Sequence, residues 1–395
     1  MPDDLERPDR RSALKLLSAG ALAAVAGSGT HPARSASTQV GAAELAATAE
    51  PGRGYYACAL QVRCDAVNQD ASREAARARM QASLERIDSQ IFGAKRWVGP
   101  DLALVVLPEY FLTGFPWGET IAQWADKAAL ALDGPEYDAI AAIAQKHRVF
   151  LAGNAYELDP NFPGLYFQAS FVFAPSGELV LRYRRLVSLF APTPHDVWDR
   201  YLDLYGLDGV FPVAETAIGR LAAIASEEIL YPEIARCHVM RGAEVLLHCS
   251  SEAYTTTMPP KRIARLARAV ENLAYVVSTN TAGVTGVDIP ADSANGGSEI
   301  IDYLGNTMVA AGQGETITAY ARLDLDDLRE YRRRPGMANL LSRQAFDLFA
   351  SSYQQADFRR RNGLLQDGKI VVPDRSYFRE RQAETITRLT EAGLL

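Results

Sequence analysis

From Tyr55 onward, apolar runs of strand length alternate with segments whose apolar residues recur at helical spacing. "YYACALQV" reads as a first core strand. It leads to a helix from about Asp70 to Ala94, the strand "LALVVL", helices around 120 to 147, and the strand "VFLAGNAY". "FQASFVFAPSGELVLRYRRL" reads as two strands joined at Pro175, Ser176 and Gly177, residues suited to a hairpin turn. A loop is expected from 188 to 210. Beyond it the pattern predicts a strand over 219 to 225, a helix over 232 to 241, a strand over 244 to 249, a helix over 259 to 273 and a strand over 274 to 280. Three more strands are expected near 297 to 323, then a charged tail with a last helix from Tyr377 to Ala392. This order suits an α/β fold of mixed sheets covered by helices. No solenoid-period repeat and no internal Gly/Ser linker appears, which favours one domain.

The first residues follow a different pattern. "RPDRRSALKLLSAGALAAVAG" sets Arg10 and Arg11 before an apolar run, and the small residues "ARSAS" come next. This reads as a twin-arginine export segment over 1–36 with a linker over 37–54, and predicts a periplasmic or secreted mature protein. No other apolar stretch reaches the roughly 18 to 20 residues of a membrane span, so none is expected in the mature chain.

Of 395 residues, 48% are hydrophobic and the formal net charge is -7, becoming -8 if the first 36 residues are removed. That balance allows a deep core and argues against nucleic acid or an anionic membrane surface as partner, leaving a small-molecule substrate. An oxidising compartment makes the cysteines relevant. Cys58 and Cys64, six strand residues and about 20 Å apart, are beyond disulfide reach. A bridge between Cys237 and Cys249 stays open. The scattered cysteines lack zinc-site spacing, so no metal and no cofactor is expected.

Four stretches carry candidate chemistry. "VVLPEYFLTG" puts Glu109 directly after a buried strand, where a rigid sheet can hold a carboxylate as a base. "GELVLRYRRLV" brings Arg185 from the end of another strand. "AAIASEEILYPEIAR" puts Ser226 on a tight turn between strand and helix, followed by Glu227 and Glu228. "RLARAVENLAYVVSTNTAG" adds Arg268, Glu271, Asn272 and Asn280.

In this order and spacing, from about Tyr55 to Leu328, the chain resembles the nitrilase superfamily of carbon-nitrogen hydrolases. "ALQ", "PE" with a following Thr-Gly, "YR", "YPEIAR", "GGSEIID" and "GETITAYARLDLDDL" carry the likeness. The resemblance implies a carbon-nitrogen hydrolase-like domain over 55–335 with a four-layer αββα sandwich. It also implies that two copies join into eight layers through the nucleophile helix and a tail over 336–395, giving a homodimer or higher homo-oligomer. It further implies a glutamate base, a lysine that stabilises the tetrahedral intermediate, and a cysteine that becomes acylated. Glu109 matches the glutamate, but the lysine position holds Arg185 and the cysteine position Ser226. For a further family carboxylate, "APTPHDVWDRY" offers only His195, Asp196 and Asp199. Glu228 matches the acidic residue two places after the nucleophile and is expected to orient the turn.

The substitutions change the chemistry. An alcohol must lose its proton as it attacks, whereas a thiol near pKa 8.5 is partly ionised already. Arg185 offers a planar fork in place of a point charge, which suggests an anionic ligand. Three readings fit. Ser226 acts as nucleophile in an atypical amidase or esterase; Glu109, Glu227 or His195 drives hydration, lyase or acid/base chemistry without an acyl-enzyme; or the fold serves as an inactive binding or assembly protein. Tyr110, Trp117, Tyr166 and Asn280 are candidate substrate contacts, although buried aromatics belong to the core by default. "REYRRRPG" at 329 to 336 reads as a solvated helix end.

Overall fold

The computed structural model describes residues 54–254 and 257–395. The expected export segment, and all of the linker but its last residue, lie outside the described residues. β1 (Tyr55–Ala59) and the short β2 (Cys64–Asp65) precede α1 (Arg73–Val98), and β3 (Leu102–Val106) precedes α2 (Ile121–Ala128) and α3 (Pro135–His147). β4 (Phe150–Leu158), β5 (Tyr166–Phe173) and β6 (Leu179–Arg184) form consecutive antiparallel pairs. Then come α4 (Trp198–Val210), β7 (Ala214–Thr216), β8 (Gly219–Ala225), α5 (Pro232–Met240), β9 (Val245–Ser250), α6 (Pro260–Asn272) and β10 (Tyr275–Asn280). β11 (Val284–Thr285), β12 (Glu299–Ile301), β13 (Thr307–Ala310), β14 (Tyr320–Leu323) and α7 (Leu325–Arg333) follow. The tail holds α8 (Asp347–Gln355), β15 (Leu365–Gln366), β16 (Lys369–Ile370) and α9 (Ser376–Glu391).

Two six-stranded mixed sheets result, ordered β14-β1-β3-β4-β5-β6 and β13-β12-β10-β9-β8-β7. Their strands are apolar on both faces because each sheet is covered twice. In β1, Tyr55, Ala57 and Ala59 meet the second sheet, while Cys58 and the following Leu60 face the layer of α1, α2 and α3. Beyond the second sheet, Ile234, Ala235 and Val239 of α5 and Ala264 and Ala269 of α6 close the outer face. Hydrogen bonds tie the sheets together where β3 and β10 end. Thr279 Oγ1 donates to the Val106 carbonyl over 3.0 Å, Thr281 Oγ1 to the Glu109 carbonyl over 3.3 Å, and the Glu109 amide to the Ser250 carbonyl over 3.3 Å.

Two expectations need correction, and one question left open is resolved. The segment 188 to 210 is not a plain loop: a short turn at Pro194–Val197 runs into α4. Trp198, Tyr201, Leu202 and Tyr205 do have helical spacing, but Pro194, Gly206 and Gly209 mask it; Gly206 takes φ 63° inside the helix. Arg184 locks this segment down, pairing with Glu157 at 2.9 Å and Asp159 at 2.6 Å while its guanidinium lies over Tyr201 and Tyr205. The "REYRRRPG" cations are not simply solvated. Arg329 pairs with Glu244 at 2.7 Å, and Arg332 donates to the carbonyls of Leu273 (2.8 Å) and Ala243 (2.9 Å), fixing α7 against the end of α6. All four cysteines are free thiols, so Cys237 and Cys249 are not bridged, and Cys237 is only partly buried.

The tail packs on the chain's own 193–199 segment. The amides of Asn362 and Leu364 donate to the carbonyls of His195 (3.0 Å) and Asp196 (2.9 Å), and the Tyr377 hydroxyl to Asp196 Oδ1 over 2.9 Å. No helix of the described residues is long and apolar enough to cross a membrane.

Candidate active site

Glu109 follows β3 and is fully buried. Its Oε1 accepts from Gln168 Nε2 at 2.7 Å and from Arg185 Nη1 at 3.3 Å, while Oε2 is buried without a well-formed hydrogen bond. Tyr110, the next residue, takes φ 51° and stacks on Tyr156 with ring centroids 5.9 Å apart. Burial first, and the Glu109 carboxylate second, push its phenol well above 10, so it stays protonated beside Glu109.

Arg185 follows β6 and reaches across the site. Nε donates to the Val187 carbonyl at 2.7 Å, Nη1 to Gln168 Oε1 at 2.6 Å as well as to Glu109, and Nη2 to Glu227. Burial opposes its charge, yet Glu109, Tyr110 and Glu227 more than offset this and hold the guanidinium above its ordinary value. One cation thus joins the strand ends of the first sheet to the turn that carries Ser226.

Ser226 opens the one-turn helix Ser226–Leu230 directly after β8, with φ 49°. A side chain other than glycine in this left-handed region is strained, which is common where a turn must present a reacting group. The turn is held from several sides. His248 on β9 donates from Nε2 to the Ser226 carbonyl over 2.8 Å, and its Nδ1 lies 2.8 Å from Ser278 Oγ. Burial, then the charge of Arg265, pushes the His248 pKa well below 6.5; the neutral ring therefore donates from Nε2 and accepts at Nδ1. Glu228 is fully buried. Oε2 accepts from the Tyr183 hydroxyl (2.8 Å) and the Ala225 amide (3.2 Å), and Oε1 from the amides of Leu186 (2.6 Å) and Val187 (3.1 Å). It therefore fixes the end of β6 to the start of the Ser226 turn. Arg268 on α6 donates to the Ile229 and Leu230 carbonyls at 2.9 and 3.1 Å and to Glu271 at 2.9 Å, so the "ARAVEN" stretch clamps the far end of the same turn.

On its other side Ser226 meets residues that no sequence pattern pointed to. Lys261, in the first turn of α6, donates from Nζ to Ser226 Oγ over 3.3 Å and pairs with Glu252 at 3.5 Å. Asn280 does not line a ligand space as expected. Its Oδ1 accepts from the Glu252 amide at 2.8 Å and its Nδ2 donates to the Glu252 carbonyl at 2.7 Å, which fixes the Glu252 backbone just after β9.

Other expected site residues lie elsewhere. Tyr166 is wholly buried in the aromatic core, edge-on to Tyr156. Trp117 is 55% exposed, beside a cleft lined by Asp70, Arg73, Gln123 and Lys127. His195 packs on Trp198, and burial together with Arg359 lowers its pKa. Asp196 caps its own turn, accepting from the Thr193 amide and hydroxyl at 2.9 and 2.7 Å, and anchors Tyr377. Gln168, His248, Glu252 and Lys261 were missed. For Gln168 and His248 the signal was present, since each is a large polar residue within an otherwise mostly apolar strand. Among the described residues no group of three or more His, Cys, Asp or Glu is arranged to hold a metal ion.

With this geometry in place, the family can be named. The sequence model described as "Carbon-nitrogen hydrolase" matches residues 66–333, and the chain belongs to that family. A formamidase of Bacillus cereus (strain B4264) is 28% identical over 233 residues, which are 58% of this chain and 64% of that protein, so the chain spans less than two thirds of this relative. The crystal structure of Saccharomyces cerevisiae Nit3, a member of branch 10 of the nitrilase superfamily, has 21% identity and a TM-score of 0.56, covering 71% of this chain and 94% of that one. An amidase from Nesterenkonia sp. has 18% identity and a TM-score of 0.56, covering 77% and 98%. The likeness shows the nitrilase fold of two mixed sheets flanked by helices, as the motifs implied.

Burial pushes the Glu228 carboxyl up from 4.5 to about 7, against the opposing pull of Arg185 and its hydrogen bonds. The folded chain then binds this proton more tightly than the unfolded chain. The contribution to stability is full below pH 4.5 and is lost as pH rises toward 7, by on the order of a few kcal/mol. Urea denaturation of wild type and Glu228→Gln should show the wild-type advantage larger at pH 4.5 than at pH 8; an equal gap at both values would refute this sign.

Proposed function

We propose that the chain hydrolyses a small amide or ester, with Ser226 as the nucleophile. The observation that carries this reading is the strained, buried Ser226 turn, which Glu227 ties through Arg185 to Glu109. Strain and a buried ion network concentrated at one strand end are costly unless they hold a group in place for chemistry. The family is one of hydrolases, and the formamidase and amidase similarities favour carbon-nitrogen bonds.

The substrate class follows from the bonds Arg185 already makes. Of its five N–H groups, one goes to Val187, two to Gln168 and Glu109, and one to Glu227. At most one remains, and a bidentate grip on a substrate carboxylate needs two. The anionic substrate suggested by the sequence is therefore replaced by a neutral acyl compound, whose carbonyl oxygen a single N–H can polarise. A reaction without an acyl-enzyme draws support from Glu109, whose Oε2 is buried without a well-formed hydrogen bond beside the Tyr110 phenol. Ser226→Ala separates the two. Hydrolysis of formamide, acetamide and p-nitrophenyl acetate should fall about a thousandfold or more, and nearly intact turnover that vanishes in Glu109→Gln would overturn the serine reading.

Assembly and location extend the proposal. Tyr231, Met240, Ile263 and Val270, on or beside α5 and α6, are 40 to 54% exposed, which supports a two-fold pairing of this face. Sedimentation at micromolar concentration should give a species of twice 43.1 kDa or larger; a monomer alone refutes pairing. Arg10 and Arg11 in front of an apolar run support export by the twin-arginine route. Changing both to Lys should retain an uncleaved precursor in the cytoplasm, and unchanged export would rule the route out.

A further inference from the structure

Ser226 needs a group that accepts its proton, and Glu109 is engaged on Oε1 by two donors. Among the described residues, the side chain bonded to Ser226 Oγ is Lys261, at 3.3 Å. We infer that Lys261 is the proton acceptor and donor for Ser226, with Glu252 and Asn280 as positioning residues; this rests on the serine-nucleophile reading.

The surroundings fit the role. Lys261 shares Glu252 with Arg265, and Arg265 shares Glu299 with Arg262, the last two pairs both at 3.3 Å. Three cations face two carboxylates, and of the three only the lysine can release a proton, because guanidinium groups stay charged in proteins. Arg265 is almost completely buried, with its Nε unpaired, and Glu299 is likewise buried. His248, the other titratable group at the turn, is neutral and already bonded at both nitrogens. The Lys261 ammonium keeps its direction through Glu252, whose own backbone is held at both ends of the Asn280 amide. The lysine thus approaches Ser226 from α6, whereas the family's lysine position, at the end of β6, holds Arg185.

In the reaction, Lys261 first gives up one ammonium proton to solvent, and its Nζ then takes the hydroxyl proton as Oγ forms a bond to the substrate carbonyl carbon, giving a tetrahedral oxyanion. The ammonium returns this proton to the departing nitrogen or oxygen as the C–N or C–O bond breaks, leaving Ser226 acylated. Water then adds to the ester, giving one proton to Nζ. That proton passes back to Oγ as the acyl–oxygen bond breaks and the carboxylic acid leaves. Acyl group, water and leaving group balance, and both side chains return to their starting state.

A fluorophosphonate probe reads the step without knowledge of the substrate, because it phosphonylates only an activated serine. The purified chain is incubated with the probe and adduct formation at Ser226 is followed by peptide mass. Wild type should label at Ser226, and both Lys261→Met and Lys261→Arg should label about a hundredfold more slowly or less, the usual worth of a positioned base. Lys261→Arg keeps the charge and much of the bulk but accepts no proton, so it isolates proton transfer from packing and carries the test if Lys261→Met does not fold. Melting temperatures near that of wild type confirm intact variants. Labelling of either folded variant within about threefold of wild type overturns the role of Lys261 while the serine reading stands. Absence of labelling at Ser226 in wild type overturns the serine reading and this inference with it.

Discussion

The site depends on one buried guanidinium. Arg185 is bonded at once to Glu109 and Gln168 of the first sheet and to Glu227 beside Ser226, so it fixes the distance between two sheets that otherwise touch mainly through apolar side chains. Such a group gains little net stability, because desolvating the charges consumes most of their mutual attraction. Removing one partner is different: it leaves a buried charge uncompensated, at a cost of about 3 to 5 kcal/mol. The constraint is therefore one of geometry more than of energy. A lysine at 185 offers a single point charge and could not hold the Gln168, Glu109 and Glu227 acceptors in one plane as the guanidinium does.

This use of Arg185 divides the surroundings of Ser226 into two halves. On one side lie Glu109, Gln168 and Arg185, buried and joined to one another by hydrogen bonds. On the other, Lys261 and Glu252 share a looser pair at 3.5 Å. Glu228 and Arg268 belong to neither half; they clamp the two ends of the turn, through Leu186, Val187 and Ala225 and through Ile229 and Leu230. The positive φ at Ser226 survives because these bonds over-determine the backbone around it.

The strands and helices of the fold were largely legible because they follow periodicity. "LAAIA", "EVLLHC" and "AYVVST" are near-continuous apolar runs, and parallel strands covered on both faces must be so. Of the site, Glu109, Arg185, Ser226 and Glu228 were legible because each sits at a fixed place relative to a strand end. Lys261 was not. Its contact with Ser226 spans 35 residues, and its partner Glu252 is held by Asn280 through backbone hydrogen bonds that carry no pattern in sequence. The tyrosines and Trp117 failed for a related reason. Aromatic residues serve core and pocket alike, and only packing tells Tyr166, wholly buried, from Trp117, largely exposed.

In the proposed reading, an oxygen nucleophile at 226 creates a need that the catalytic set implied by the resemblance does not meet by itself. A thiolate is available near neutral pH, so a base that is partly committed elsewhere can suffice; an alcohol must hand over its proton during attack. If Arg185 holds Glu109 and Glu227 in the turn's framework, the residue that serves the oxygen has to come from outside the family's catalytic positions. α6 is the element able to provide it, since Arg268 already anchors this helix to the Ser226 turn two helical turns further along. A lysine in the first turn of α6 then reaches Oγ with no change in the sheets. In the proposed reading, serine at 226, arginine at 185 and lysine at 261 form one coupled set: losing Arg185 leaves Glu109 without its cation, and losing Lys261 leaves the Ser226 hydroxyl without a proton acceptor.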